Sequence, residues 1–94
     1  EQSTNNKSNQ ADINIYPNPA KDWITIEYEI RKDGLVNIKI VDESGNVIRS
    51  LINEEMEKGQ YELEVNISEL KNKNYFLIVN DVEGLSSKKV IKLE

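Results

Sequence analysis

Apolar side chains fall on every second position in run after run of this chain, and that period of two restricts it to half-buried β-strands before any other property is weighed. Ile24, Ile26, Tyr28 and Ile30 alternate with Trp23, Thr25, Glu27 and Glu29. Val36, Ile38 and Ile40 alternate with Asn37 and Lys39, and Tyr61, Leu63, Val65 and Ile67 with Glu62, Glu64 and Asn66. Gly, Asn and Asp interrupt these runs every eight to twelve residues, which is the spacing of a sandwich. The predicted core includes Ile26, Tyr28, Ile38, Ile40, Leu63, Val65, Leu77 and Val79.

The connections complete the reading. Pro17 and Pro19 lack the N–H a central strand must donate, so a short first strand at a sheet edge gives way to a stiff link between Ile15 and Ile24. Asp42-Glu43-Ser44-Gly45-Asn46 reads as a hairpin loop with Gly45 free to take a positive φ. It is not a calcium loop, because the twelve-residue ligand spacing is missing. Residues 54–58, EEMEK, have helical propensity but are too few to stand alone, and are read as a loop. Leu70 is expected to plug the sheet edge after a short turn at Ser68-Glu69. The nearly continuous apolar run from Tyr75 to Val82 suggests a central strand covered on both faces, and Ser86 to Leu93 is the expected closing strand. Seven strands, short connections and no helical period predict an all-β chain folded as an immunoglobulin-like antiparallel β-sandwich.

Composition narrows function more than it defines it. Ninety-four residues make one domain. The absence of Cys and His removes disulfides, thiolate chemistry, the commonest general base and the commonest transition-metal ligand. A net charge of −5 argues against nucleic acid, which needs a basic stripe to displace counterions. No apolar run approaches the roughly 20 residues that cross a bilayer as a helix. Glu27/Glu29 and Glu62/Glu64 lie two apart on outward faces, solvated, whereas general acid–base work needs a desolvated and split pair. The Ser residues have no base at a spacing that suggests a triad. No catalytic residue, metal ligand or cofactor is expected.

Residues 1–12, EQSTNNKSNQAD, lack apolar β-formers and read as a polar linker. Glu1 is not a start methionine, so the chain reads as a piece of something longer whose remainder holds the activity. Leu93-Glu94 resembles the dipeptide a cloning site leaves ahead of an affinity tag, so the natural chain is expected to end at or near Lys92, with residues 13–92 as the domain.

The order of motifs is more specific than any one of them. YPNPAKD (16–22), an alternating strand, VDESGNVI (41–48), GQYELEVNIS (59–68), a Leu followed by an aromatic strand, and EGLSSKKVIK (83–92) come in sequence. This ordered set resembles the C-terminal sorting domain of type IX (Por) secretion cargo, in its type A form. Where the family has a Gly two residues before the aromatic, this chain has Lys73 between Asn72 and Asn74, and Asn tolerates the left-handed conformation.

The resemblance implies a non-catalytic secretion address joined to an N-terminal cargo domain. It would be recognised by an outer-membrane translocon, then removed by a sortase-like peptidase that couples the cargo to a surface anchor. The cargo would be exported through the periplasm to the cell surface or extracellular space. It further implies translocon contacts at Gly84, Lys88, Lys89, Val90, Ile91 and Lys92. Tyr16, Pro17, Asn18, Pro19, Gly45, Gly59, Tyr61, Leu70 and Tyr75 would be structural family positions.

Two readings of the lysines stay open: the translocon reads them, or they act as gatekeepers that stop a terminal edge strand from pairing with other chains. An exposed last strand with unpaired backbone groups would suit strand addition, and deletion of residues 88–92 is expected to trap cargo while sparing most of the core. The alternative function is an accessory immunoglobulin-like module, a carbohydrate binder or spacer of a cell-surface enzyme. A sugar binder would show clustered exposed aromatics, and Trp23 is the sole candidate, placed at a strand start to cover an edge or face the linker.

Overall fold

A computed structural model of the chain describes residues 12–71 and 73–93. The strands are β1 (Ile13–Tyr16), β2 (Trp23–Ile30), β3 (Gly34–Asp42), β4 (Val47–Met56), β5 (Gly59–Asn66), β6 (Asn74–Asp81) and β7 (Gly84–Ile91). They form two antiparallel sheets of orders β1-β2-β5 and β4-β3-β6-β7, an arrangement compatible with an immunoglobulin-like sandwich. The chain changes sheet between β2 and β3, β4 and β5, and β5 and β6.

Alternation places the core between the sheets. Ile24, Ile26, Tyr28 and Ile30 from β2 meet Val36, Ile38 and Ile40 from β3 and Tyr75, Leu77 and Val79 from β6, all buried. Seven of the eight predicted core residues are buried, and Leu63 is half-buried against the same cluster. The expected hairpin forms as read: Gly45 takes φ 88°, and the Asp42 carboxylate accepts from the amides of Ser44 and Asn46 at 2.9 Å each. Those bonds, from Asn46 first, hold the Asp42 carboxyl below its usual range.

Two expectations change. Residues 54–56 are strand, not loop: Glu54, Glu55 and Met56 pair with Val36, Leu35 and Gly34. Cross-strand pairing, and packing of Met56 on the core, outweigh local helical propensity. β6 is central in its sheet but not covered on both faces, because Phe76 and Ile78 on the outer face are only half-buried. Their apolarity reflects two paired neighbours and an outer stripe shared with Val41, the partner of Phe76. Asn74 takes no left-handed backbone, since among the described residues no non-glycine has a positive φ; Asn72, the other asparagine that could have taken it, lies outside the described residues.

The end of the sandwich at the β2–β3 crossover is tied by charge and by close approach. Arg31 contacts Glu29 at 3.4 Å and Asp12 at 3.5 Å, and Lys32 reaches Glu83 of the β6–β7 turn at 3.8 Å. Gly34 sits at φ 153°, where a Cβ would overlap Cγ2 of Val82. The crossover can pass beneath that turn only with glycine here. Of the expected linker 1–12, only Asp12 lies within the described residues, and its carbonyl accepts from Glu29 N at 3.1 Å.

The terminal strand as candidate functional site

β7 is an edge strand, paired with β6 alone through an unbroken register from Asp81–Gly84 to Asn74–Ile91. Along it, side chains at even positions turn toward the other sheet: Ser86, Val90 and Lys92, just past the strand end, are buried. Lys88 shares that side but is exposed, and Leu85, Ser87 and Lys89 on the outer face are exposed. A lysine on the inward side of an edge strand cannot be covered by a docking sheet without losing its hydration, so it opposes uncontrolled pairing.

The second half of β7 is closed off by the Pro-Asn-Pro link. Asn18 Nδ2 donates to the Lys89 carbonyl at 2.8 Å, and the Ile91 amide donates to Asn18 Oδ1 at 2.9 Å. Ala20 continues the pairing: its amide donates to the Ile91 carbonyl at 2.9 Å, and its carbonyl accepts from Leu93 N at 2.7 Å. Ala20 and Lys92 thus form a parallel bridge. On the inner edge, Lys92 N donates to the Lys73 carbonyl at 3.1 Å, and Lys92 Nζ to Leu93 O at 2.6 Å. Both peptide bonds before Pro17 and Pro19 are cis. The link lies close enough to β7 for one amide side chain to substitute for a neighbouring strand.

The residues named as translocon contacts divide accordingly. Gly84, Lys88 and Lys89 are exposed and Ile91 is half-buried, whereas Val90 and Lys92 are 1% and 4% exposed. Val90 and Lys92 face the interior of the folded domain, and the surface charge of the strand comes from Lys88 and Lys89. Among the described residues neither of these two forms an ion pair.

The positions named as family motif make contacts within the fold. Tyr61 stacks on Tyr28 with centroids 5.5 Å apart and donates to the Glu57 carbonyl at 2.6 Å. Buried Tyr75 donates to the Lys71 carbonyl at 3.1 Å. Leu70 packs on the core with its amide on the Ile67 carbonyl at 3.0 Å. Gly59 opens β5. Tyr16, 45% exposed, donates to Glu27 Oε2 at 2.8 Å. That bond, with minor burial and the charges of Glu27 and Glu62, pushes its phenol up to about 12.

Thr25 stands across from Glu64, and Glu27 from Glu62; the latter two border a depression also lined by Asn14, Glu29 and Gln60. Among the described residues no three His, Cys, Asp or Glu are grouped to hold a metal. Trp23, 54% exposed, sits at the start of β2 opposite Asn66.

What this arrangement defines is a sandwich whose last strand is held half open and half closed. The chain matches the secretion system C-terminal sorting domain family over residues 14–93, and it belongs to that family, the sorting domains of type IX secretion. A search among curated proteins returns no match.

Proposed function

We propose that the domain is the non-catalytic address, of type A, by which a covalently attached cargo is passed through the outer-membrane type IX translocon. The address is then cut away by a sortase-like peptidase and the cargo anchored at the surface. Residues 1–12 serve as the tether to the cargo, and residues 13–92 as the address. The observation that carries this reading is membership of the sorting-domain family, and the exposed lysines on β7 supply the surface a receptor would meet. Lys88 and Lys89 steer the domain toward an acidic receptor surface, an effect weakened by salt. Val90 and Lys92 contribute by holding the strand in place.

The test is export of a fused reporter. Lys88→Glu with Lys89→Glu should leave the reporter in the periplasm while the purified chain melts as before. Glu62→Lys with Glu64→Lys, on the far face, should be exported normally. Equal surface delivery from the wild type and the β7 double variant would favour the accessory-module reading instead.

A further inference from the structure

The outward backbone groups of β7 are not all alike. Asn18 and Ala20 take the Lys89 carbonyl, both groups of Ile91 and the Leu93 amide. Because the β6–β7 register is unbroken, the same outward row continues through Ser87 and Leu85. Among the described residues nothing bonds the N–H and C=O of Leu85 and Ser87 or the N–H of Lys89. This open row runs roughly 13 Å at about 3.4 Å per residue.

The other edges are closed by different means. β4 carries two register shifts against β3, and such bulges turn an edge away from pairing. β1 is four residues long. β5 is regular but lined by Glu62 and Glu64. β5 shares the regular geometry and an outer row without a strand partner, but among the described residues the Leu85–Lys89 edge adds to these an apolar side chain, Leu85, 61% exposed, and two cations lacking ion-pair partners.

We propose that the Leu85–Lys89 edge of β7 is a strand-addition site for a short, extended, acidic segment of a partner protein, and that Asn18 sets where the added strand must stop. Backbone bonds to Leu85, Ser87 and Lys89 give the affinity. Carboxylates near one end of the segment, one on each of its faces, meet Lys88 and Lys89, and a small apolar residue covers Leu85. The Asn18 amide already occupies the next pair of backbone groups, so a partner strand cannot run on to Ile91. This deepens the export reading and depends on it for the identity of the partner, but not for the existence of the site.

The 94-residue chain is titrated with a capped hexapeptide of valine and threonine carrying two adjacent glutamates, and amide exchange is followed by NMR. At ten times the dissociation constant, exchange of the Leu85, Ser87 and Lys89 amides should slow about tenfold, with Ile91 unchanged. A peptide with lysines in place of the glutamates should not protect. Ser87→Pro removes an outward donor while leaving the even-numbered bonds to β6, and should abolish protection. Lys88→Glu with Lys89→Glu, which leaves the backbone untouched, should do the same. Asn18→Ala should extend protection to Ile91. Unchanged exchange at all three amides under saturating peptide overturns the site. So does protection that follows protein concentration rather than peptide, which would mean that a second copy, through its acidic β5 edge, is the occupant. If Ser87→Pro loses peptide protection yet exports its cargo normally, the site stands but its partner is not the export machinery; the export reading itself falls only with the Lys88→Glu, Lys89→Glu reporter assay.

Discussion

Asn18 does with one side chain what a neighbouring strand does with its backbone, offering an acceptor to Ile91 N and a donor to Lys89 O. Asn18→Ala leaves both groups to water at an exposed edge, so a stability loss of about 0.5–1.5 kcal/mol per bond is expected. Asn18→Asp should be worse than Ala, since a carboxylate oxygen then faces the Lys89 carbonyl; denaturant melts of both variants check the order. Tyr16 makes a pH prediction. Its phenol is raised from an ordinary value near 10 to about 12, so the folded state holds that proton more tightly. The resulting stability is complete below pH 10 and drains away as pH rises toward 12. Melts across that window should show the loss in the wild type and a flatter profile in Tyr16→Phe. The sequence made the proline link legible as stiff and close to an edge, because proline's constraints are local. It could not show that Asn18 reaches residues 71 and 73 positions away, because no periodicity encodes a side chain acting as a strand.

At the scale of the elements, the period of two was enough to locate β2, β3 and β5 and their inward faces, since one face of each is buried and the other wet. Ile38 and Leu77 are fully buried, and Ile38→Ala is expected to cost about 2–5 kcal/mol through lost transfer energy and the cavity left behind. Leu63→Ala should cost less, near the lower end of that range, because Leu63 is only half-buried at the β5 edge. Urea unfolding that ranks the two the other way would mean that β5, not β3, carries the packing. The pattern misled at β4 and β6 for a physical reason. Local propensity in EEMEK competes with pairing to a partner some twenty residues earlier in the chain, and pairing wins. The Phe76 and Ile78 side chains look buried in sequence because an apolar residue in a strand bonded on both sides does not announce which face it occupies.

For the whole molecule, charge and stability are distributed unequally between the two sheets. Glu27, Glu29, Glu62 and Glu64 crowd the outer face of β1-β2-β5, while Lys88 and Lys89 stand at the far edge of the other sheet. That separation lets surface substitutions test recognition without touching the core, but truncation cannot. Removing residues 88–92 takes away Val90, worth about 1.5–3 kcal/mol of burial. It also strands Asn18, Ala20 and the Lys73 carbonyl, each losing bonds worth about 0.5–1.5 kcal/mol, and uncovers the β6 edge beside Tyr75 and Leu77. The sum approaches the roughly 5–10 kcal/mol expected for a domain of this size. The expectation that the core survives this deletion therefore gives way: the shortened chain should show no cooperative melt by circular dichroism at 37 °C, whereas Lys88→Glu with Lys89→Glu should melt within a few degrees of the wild type. A deletion variant that still melts cooperatively would mean that β7 contributes little to the sandwich and that its last residues are free for a receptor to read directly.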